Sequence, residues 1–262
     1  MDIGVNLCDK SFNADREAVI AQAKALGVEV QIITGTDLKS TQAAIALCQS
    51  DPQTLYSTAG FHPHYAKDFQ PDDLKTLEQL ILDNPCVRAV GECGLDFNRN
   101  FSPPDRQRDV FEKHLGLAAR TQYPLFMHER DAHEPFMEIF SSYQGKVSRG
   151  IVHCFTGNRD ALRSYLDAGL YIGITGWICD ERRGQELLSL LSFIPLDRLM
   201  IETDAPYLLP RDLDRNTKPK SRRNEPQFLP HIAQTIANTL KLDLATVADH
   251  TYQNSHQFFD LA

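Results

Sequence analysis

The chain has 262 residues, of which 42% are hydrophobic and 24% are charged, and its formal net charge is −8. This is the composition of a globular protein with a full core, and no stretch reaches the ~18 uninterrupted apolar residues of a membrane span. The acidic balance argues against a protein that coats duplex DNA, although it leaves room for a local basic rim around a cleft.

The N-terminal segment MDIGVNLCDK has neither a basic region nor a long apolar run, so no signal peptide is predicted. Six cysteines are scattered without close pairs, which in a chain of this length indicates free thiols in a reducing compartment. They are Cys8, Cys48, Cys86, Cys93, Cys154 and Cys179. We therefore expect a cytoplasmic protein without a cysteine-based structural zinc site and without a membrane partner.

Eight short apolar runs alternate with longer amphipathic segments along the chain. Several runs are rich in β-forming residues and continuous, as expected for strands that are covered on both faces. The predicted strands are 2–7, 28–34, 55–60, 86–91, 123–128, 149–154, 170–175 and 198–203.

Helical patterns separate these strands. The segment 102–105 (SPPD) predicts the start of one helix, and Asn158 and Gly169 predict the limits of another. Two further helices are expected at about 227–240 and 244–259.

The alternation of strands and helices predicts an α/β fold. We expect a (β/α)8 TIM barrel that forms a single domain over residues 1–262, and a doubly wound open sheet is the alternative. One long irregular stretch, 204–226, follows the last strand. Loops of that length inside compact domains are usually functional.

Histidines and acidic residues stand where five of the predicted strands end. They are His62 and His64 after the third strand, Glu92 after the fourth, His128 at the end of the fifth, His153 on the sixth and Asp204 after the eighth. In a barrel, the carboxyl ends of the strands meet on the face where the loops build the active site. The pattern therefore predicts that these side chains line one cavity.

Two imidazoles and two carboxylates in this set suit a divalent cation such as Zn²⁺, Mn²⁺ or Mg²⁺, with positions open for water. Such a cation lowers the pKa of bound water, and an unprotonated Asp204 is able to orient that water or take its proton. Each residue taken singly has a structural alternative. Glu92 is able to pair with Arg130, and Asp204 is able to cap a helix.

Five segments, GFHPH, VGECGLDF, FMHERDA, IVHCFTG and IETDAPYLLP, resemble in order and spacing the signature segments of the TatD-family metal-dependent deoxyribonucleases. The resemblance extends from the first strand to RRNEP at 222–226. It implies an amidohydrolase-like TIM barrel that hydrolyses DNA phosphodiester bonds from a 3′ end, prefers single strands and acts in DNA repair or degradation. RNA is a further expected substrate.

The resemblance also implies a cofactor and roles for residues. The implied cofactor is a divalent metal, foremost Mg²⁺, with Mn²⁺ or Zn²⁺ as alternatives. By motif, the implied metal ligands are Glu92, His128, His153 and Asp204, with Asp204 and Glu92 also in catalytic roles. His62 and His64 are expected near the metal or the scissile phosphate. We expect the enzyme to be a monomer.

One position departs from the family pattern. Most of the family begins with Asp-x-His-x-His on the first strand, whereas Gly4 and Asn6 stand here in place of the two histidines. Glycine has no ligating side chain, and an amide oxygen is a weaker ligand than imidazole. We therefore expect a one-metal site, or a second ion recruited by the substrate phosphate, rather than a resident two-metal centre.

Substrate contacts are expected from cations and aromatic rings. The segment 215–223 (RNTKPKSRR) includes Arg222 and Arg223 and predicts a phosphate-binding rail, with a solvated loop as the alternative. Arg130 is a further candidate for a phosphate contact, and an ion pair with a group near Asp131 is the alternative. Unpaired bases stack on aromatic rings. The candidate rings are Phe61, Phe97 and Trp177. The alternative is that these rings pack into the wall of the barrel.

Two rival functions remain open from the residues. An amidohydrolase-like deaminase or lactonase acting on a small molecule uses the same barrel and the same ligand types. A non-catalytic scaffold is conceivable because the strand-one histidines are missing. Cys93 and Cys154 follow proposed ligands, but strand alternation predicts that they pack away from the cavity.

Overall fold

The computed structural model describes residues 1–261, and Ala262, the last residue of the predicted domain, lies outside the described residues. Eight parallel strands form one sheet in sequence order. They are β1 Asp2–Val5, β2 Gln31–Ile33, β3 Leu55–Ala59, β4 Val87–Asp96, β5 Leu125–Arg130, β6 Gly150–His153, β7 Tyr171–Ile174 and β8 Leu199–Ile201. The predicted eight strands are confirmed.

Helices cover the outside of this sheet. They are α1 Arg16–Ala25, α2 Leu38–Cys48, α3 Asp73–Asp83, α4 Pro104–Thr121, α5 His133–Ser141, α6 Arg159–Asp167, α7 Gln185–Leu190, α8 Leu229–Leu240 and α9 Leu244–Phe258. Asn158 caps α6 as predicted, because its side chain accepts from the backbone N–H of Ala161. No helix in residues 1–261 is long and apolar enough to cross a membrane.

The sheet closes on itself between β1 and β8. The backbone N–H of Asp204 donates to the carbonyl oxygen of Gly4 at 2.9 Å, and that of Asn6 donates to the carbonyl oxygen of Ala205 at 2.7 Å. The predicted TIM barrel is thus confirmed, and its closure brings the residues after β8 beside the first strand.

Gly91 and Gly94 let β4 run closer to β5 than side chains would permit. Their φ values are 140° and 138°, a region that favours glycine. A Cβ at Gly91 would overlap the carbonyl oxygen of Phe126, and one at Gly94 would overlap that of His128. The close approach extends β4 to Asp96, five residues beyond its predicted end, and sets Glu92 beside β5.

A buried histidine on α4 supports the loop after β3. The His114 Nδ1–H donates to the carbonyl oxygen of Val110 at 2.7 Å, and Nε2 accepts from the backbone N–H of Phe61 at 3.0 Å. Burial lowers the pKa of His114 to about 4, so the ring is neutral. It holds the residue that precedes His62 in place.

Acid should therefore destabilise the fold partly through His114. Its pKa is about 4 in the folded protein and 6.5 in the absence of the fold, so the unfolded chain binds more protons between those values. Stability is then lost as the pH falls through this window, by up to about 3 kcal/mol for this group. Urea unfolding across the window should show a shallower loss for His114→Gln than for the wild type. His250→Gln, half-buried on α9, is the control. Equal slopes for His114→Gln and wild type would contradict the assignment.

Candidate metal centre

Three imidazoles surround one carboxylate oxygen at the carboxyl ends of β3 to β6. Glu92 Oε1 lies 3.2 Å from His62 Nε2, 3.2 Å from His128 Nδ1 and 2.8 Å from His153 Nε2. Glu92 and His153 are almost fully buried. The barrel thus brings together residues from positions 62 to 153, as the strand-end pattern predicts.

The carboxylates and imidazoles in this cluster stabilise one another's charged forms. Burial disfavours a carboxylate, but the adjacent His62 and His153 rings keep the pKa of Glu92 well below its usual range. Burial also disfavours a charged imidazole, yet Asp96 and Glu92 raise the pKa of His128 to about 9. Carboxylates on two sides likewise raise the pKa of His153. The charged His128 and His153 rings, together with the polar N–H of His62, therefore compensate the cost of burying Glu92. Arg130 takes no part, so the alternative of a Glu92–Arg130 pair is wrong.

Glu202 lies behind His153 and was not assigned a role from the sequence. Its Oε2 lies 3.2 Å from His153 Nδ1, and its Oε1 accepts from the backbone N–H of Cys154 at 2.6 Å. Because Glu202 holds Nδ1–H, it selects the tautomer that leaves Nε2 available to a cation.

Gly4 explains how the buried Glu202 fits. A Cβ at Gly4 would overlap Glu202 Oε2, and a Cβ at Gly173 would lie 2.9 Å from Glu202 Oε1. The carboxylate therefore occupies the space beside β1 where the family pattern places a histidine side chain. A histidine at position 4 would therefore collide with Glu202 in this chain.

Asp204 lies where β8 meets β1. Its Oδ1 accepts from Asn6 Nδ2 at 3.0 Å, so Asn6 orients the carboxylate. Burial, together with the negative charges of Glu92 and Glu202, raises the pKa of Asp204 to about 7, although His153 opposes the shift. No helix begins at Asp204, so the alternative of a helix cap is wrong.

The hydrogen bonds of His62 favour a donor role. Its Nδ1 accepts from the backbone N–H of His64 at 3.0 Å, so the proton of the neutral ring sits on Nε2 and points at Glu92. Burial lowers the pKa of His62 to about 4, which keeps the ring neutral. A metal ion bound to Nε2 would require the ring proton to sit on Nδ1. A protonated Nδ1 is unable to accept the hydrogen bond that the backbone N–H of His64 donates to it. His62 is therefore suited to donate to a substrate oxygen.

His64 and Asp96 form a second pair beside the centre. His64 Nε2 lies 2.6 Å from Asp96 Oδ2, whose partner oxygen accepts from the backbone N–H groups of Asn98 and Arg99. Burial opposes ionisation, but the nearby His128 ring, 3.7 Å away, and the hydrogen bond with His64 lower the pKa of Asp96. His64 is half-buried at the mouth of the barrel.

The donor set fits a divalent cation. Of the described residues, His62, Glu92 and His128 have ligand atoms that all lie within 4.8 Å of one another, and His153 Nε2 adjoins the same oxygen. The His128 and His153 nitrogens directed at one carboxylate oxygen, with His153 held by Glu202, form a donor set that suits a cation, while His62 stays beside it as a donor. Glu92, His128 and His153 converge on this point.

The predicted phosphate contacts differ in their surroundings. The Arg130 guanidinium lies 5.3 Å from the centre of the Trp177 ring, and Arg222 is exposed with no ion pair among residues 1–261. Arg223 instead pairs with Asp15 and Glu225, both at 2.7 Å. Its guanidinium is thus occupied in joining the loop to the N-terminal region, a role that fits structure better than the predicted phosphate contact.

Aromatic rings at the mouth only partly match the candidates from the sequence. Phe61 is buried and packs edge-on against Phe69 at 5.0 Å, so it belongs to the wall. Phe97 and Trp177 are half-buried. Exposed rings that the sequence did not single out are Tyr65, Phe101 and Tyr207. Tyr65 follows His64, Phe101 lies beyond β4 and Tyr207 lies after Asp204, all in connecting segments that have no periodic pattern in the sequence.

The two cysteines beside the centre are thiols. Burial raises the pKa of Cys93, and burial with the nearby Asp204 and Glu202 raises the pKa of Cys154. A thiol held protonated is a poor nucleophile. Both residues therefore fit the packing role expected from the sequence.

A closed parallel barrel that gathers nitrogen and oxygen ligands on its catalytic face places the chain among the TIM-barrel metal-dependent hydrolases. Within that class, the sequence model of one family, described as TatD related DNase, matches residues 1–260. The chain belongs to this family, and hence to a family of hydrolytic nucleases.

Known proteins with full-length similarity agree with this placement. The 3′-5′ ssDNA/RNA exonuclease TatD of Erwinia tasmaniensis is 49% identical over 260 residues, which are 99% of each chain. The protein of the same name from Edwardsiella piscicida is 49% identical over 262 residues and covers both chains completely. A crystal structure of a TatD family hydrolase from Entamoeba histolytica has 27% identity and a TM-score of 0.89, over 100% of this chain and 98% of that one. The predicted family is confirmed.

Proposed function

We propose that the protein is a metal-dependent 3′-5′ exonuclease that hydrolyses single-stranded DNA, with RNA as a second substrate. The observation that carries the proposal is the Glu92 carboxylate, surrounded by imidazoles at the carboxyl ends of the strands. Relatives that are 49% identical over their full length are named as 3′-5′ ssDNA/RNA exonucleases, which supports the same substrate.

The residues divide into three roles. Glu92, His128 and His153 hold the divalent cation, with Asp204 at its edge. When bound, that cation lowers the pKa of a water and offsets negative charge on the phosphate. Asp204, once deprotonated, orients the attacking water and accepts its proton. His62 donates its Nε2–H to a phosphate oxygen, and Glu202 keeps His153 in the ligating tautomer.

The identity of the metal follows less directly from the ligands. Imidazole nitrogens suit Zn²⁺ or Mn²⁺, whereas Mg²⁺ prefers oxygen and keeps several waters. Mg²⁺ nevertheless fits an enzyme whose substrate supplies phosphate oxygens. We keep Mg²⁺ as the proposed ion. Metal-stripped protein reloaded separately with Mg²⁺, Mn²⁺ and Zn²⁺ should be most active with Mg²⁺, and higher activity with another ion would replace it.

The mouth of the barrel supports a single-stranded substrate. The exposed rings of Tyr65, Phe101 and Tyr207 offer surfaces on which unpaired bases stack. Arg130 and Arg222 supply positive charge that is not neutralised by an ion pair among the described residues. A duplex keeps its bases stacked inside and is unable to use such rings.

Digestion of labelled oligonucleotides tests the proposal. With a 5′ label and Mg²⁺, we expect products that shorten progressively from the 3′ end, and EDTA should abolish them. Phosphorothioate linkages at the 3′ end should block the reaction, whereas the same linkages at the 5′ end should not. Internal cuts would contradict an exonuclease. An enzyme that leaves every oligonucleotide intact would instead favour the small-molecule hydrolase.

Arg222 and Arg223 make a matched pair for testing the basic loop. Arg222→Ala should weaken binding to single-stranded DNA and reduce the slope of log K against log salt by about 0.7, because one phosphate contact is lost. Arg223→Ala should leave that slope unchanged and lower stability, because Asp15 and Glu225 lose their partner. Fluorescence anisotropy with a labelled oligonucleotide in EDTA measures both slopes. A larger change for Arg223→Ala would reverse the assignment.

We also infer a cytoplasmic, monomeric enzyme formed by one catalytic domain over residues 1–262. All six cysteines are free, as expected in a reducing compartment. Every group in the proposed centre comes from a single chain, so no second subunit is needed to complete it.

A further inference from the structure

A second cluster of ligating side chains lies under the loop that follows β8. Cys179 comes from the turn after β7, Asp212 from the loop and His231 from α8. One ligand atom from each lies within 4.8 Å of the other two. His231 Nε2 is 2.7 Å from Asp212 Oδ1, and Cys179 Sγ is 3.5 Å from Thr235 Oγ1. None of these residues belongs to the Glu92 centre.

We propose that Cys179, Asp212 and His231 form a second metal site that binds Zn²⁺ with three protein ligands and a water. Thiolate, imidazole and carboxylate are the three side-chain types that bind Zn²⁺, and they meet here from three separate elements. The thiol selects a thiophilic ion over Mg²⁺, which prefers oxygen. The site does not depend on the proposed nuclease activity.

The alternative is a set of hydrogen bonds without an ion. Such a set accounts for the His231–Asp212 pair and for the Cys179–Thr235 contact, but it gives no reason why an almost fully buried thiol, an imidazole and a carboxylate from three elements meet at one point. Burial raises the pKa of Cys179 to about 12, so the sulfur carries a proton at neutral pH. Zn²⁺ binding replaces that proton: the S–H bond breaks, an S–Zn bond forms and one H⁺ is released to solvent.

The position of Asp212 indicates what the ion would do. The loop from Asp204 to Glu225, which follows β8, carries exposed cations, among them Arg215, Lys220 and Arg222. A cation on Asp212 would tie this loop to α8 and to the segment after β7. The site would therefore order the basic stretch from outside the catalytic centre.

Co²⁺ is the probe for this site, because a thiolate ligand gives a near-ultraviolet charge-transfer band that oxygen and nitrogen ligands do not. Full-length protein stripped of metal should show the band on addition of Co²⁺ and lose it when Zn²⁺ is added. Cys179→Ser should abolish the band, and His231→Gln should weaken Co²⁺ binding by at least about 100-fold. Cys48→Ser and Cys154→Ser are the controls and should retain it. Absence of the band in wild type, or its loss only in Cys154→Ser, would overturn the proposal.

Trypsin digestion gives a second readout that needs no catalysis. In Glu92→Gln protein, Zn²⁺ at about ten times its Kd should slow cleavage after Arg215, Lys220 and Arg222 by about tenfold, because the bound state keeps the loop closed. In the doubly substituted protein that also carries Cys179→Ser, Zn²⁺ should have no such effect. Protection that persists in the double variant would place the ion elsewhere. Cleavage that Zn²⁺ never slows would show that the site does not order the loop.

Discussion

Glu92→Gln should lower kcat/KM for oligonucleotide hydrolysis by at least about 10³-fold, equivalent to about 4 kcal/mol of lost transition-state stabilisation. Glutamine keeps the shape of the side chain but removes the charge on which three imidazoles converge. The divalent cation then loses its central anionic ligand, while the barrel keeps its packing. Single-turnover digestion over a range of Mg²⁺ concentrations, with circular dichroism as a check on the fold, measures the effect.

Glu129→Gln is the matched control for this result. Glu129 directly follows His128 on β5 and is also buried, but strand alternation points it outward. There it accepts from the Tyr165 hydroxyl at 2.7 Å and from the backbone N–H of Ala132 at 2.7 Å. It should affect stability and leave the rate per folded molecule unchanged. Hydrolysis by Glu92→Gln at a rate near that of the wild type would show that Glu92 is not part of the centre, and would revive the scaffold interpretation.

The fold was accessible from the sequence because strands covered on both faces leave continuous apolar runs. The limits of β4 were not. Gly91 ordinarily marks the end of a strand, and only the close approach to Phe126 and His128 shows why the strand continues through it. Such an approach depends on the neighbouring strand, which the local pattern does not contain.

The candidate site likewise contains residues that the sequence predicts and residues whose roles it does not predict. Glu92, His128 and His153 stand at or next to the ends of the predicted strands, and strand ends converge in a barrel, so position in the chain predicts their meeting. Glu202 directly follows β8, but its role depends on the space left by Gly4. The pairing of Arg223 with Asp15 joins residues 208 positions apart. Both facts arise from packing between distant segments, which periodicity in the sequence does not carry.

Asp204→Asn should lower kcat by about 10²–10⁴-fold, with a smaller change in substrate binding, because asparagine cannot accept the proton of the attacking water. Burial and the nearby Glu92 and Glu202 raise the pKa of Asp204 to about 7, and the wild-type rate should fall as the pH drops and this carboxylate is protonated. A bound cation favours the carboxylate and moves this acid limb below pH 7. The residual rate of the variant should lack the limb. A pH–rate profile at saturating Mg²⁺ measures both.

The same substitution should stabilise the metal-free protein. Since the pKa of Asp204 is raised from 3.8 to about 7 on folding, the wild type loses stability as the pH rises through that interval. Asp204→Asn removes this loss of stability. The variant should be more stable than the wild type by about 1–2 kcal/mol above pH 7, which is less than the full shift implies because the side chain keeps some contact with solvent. Asp131→Asn is the control, because Asp131 has the same φ of 53° and is exposed. A gain in stability with loss of activity at Asp204, and neither at Asp131, would show that the carboxylate is kept for chemistry rather than for the fold. If Asp204→Asn instead lowers stability in EDTA, the buried charge is compensated by the protein itself, and a role for Asp204 at the edge of a cation is contradicted.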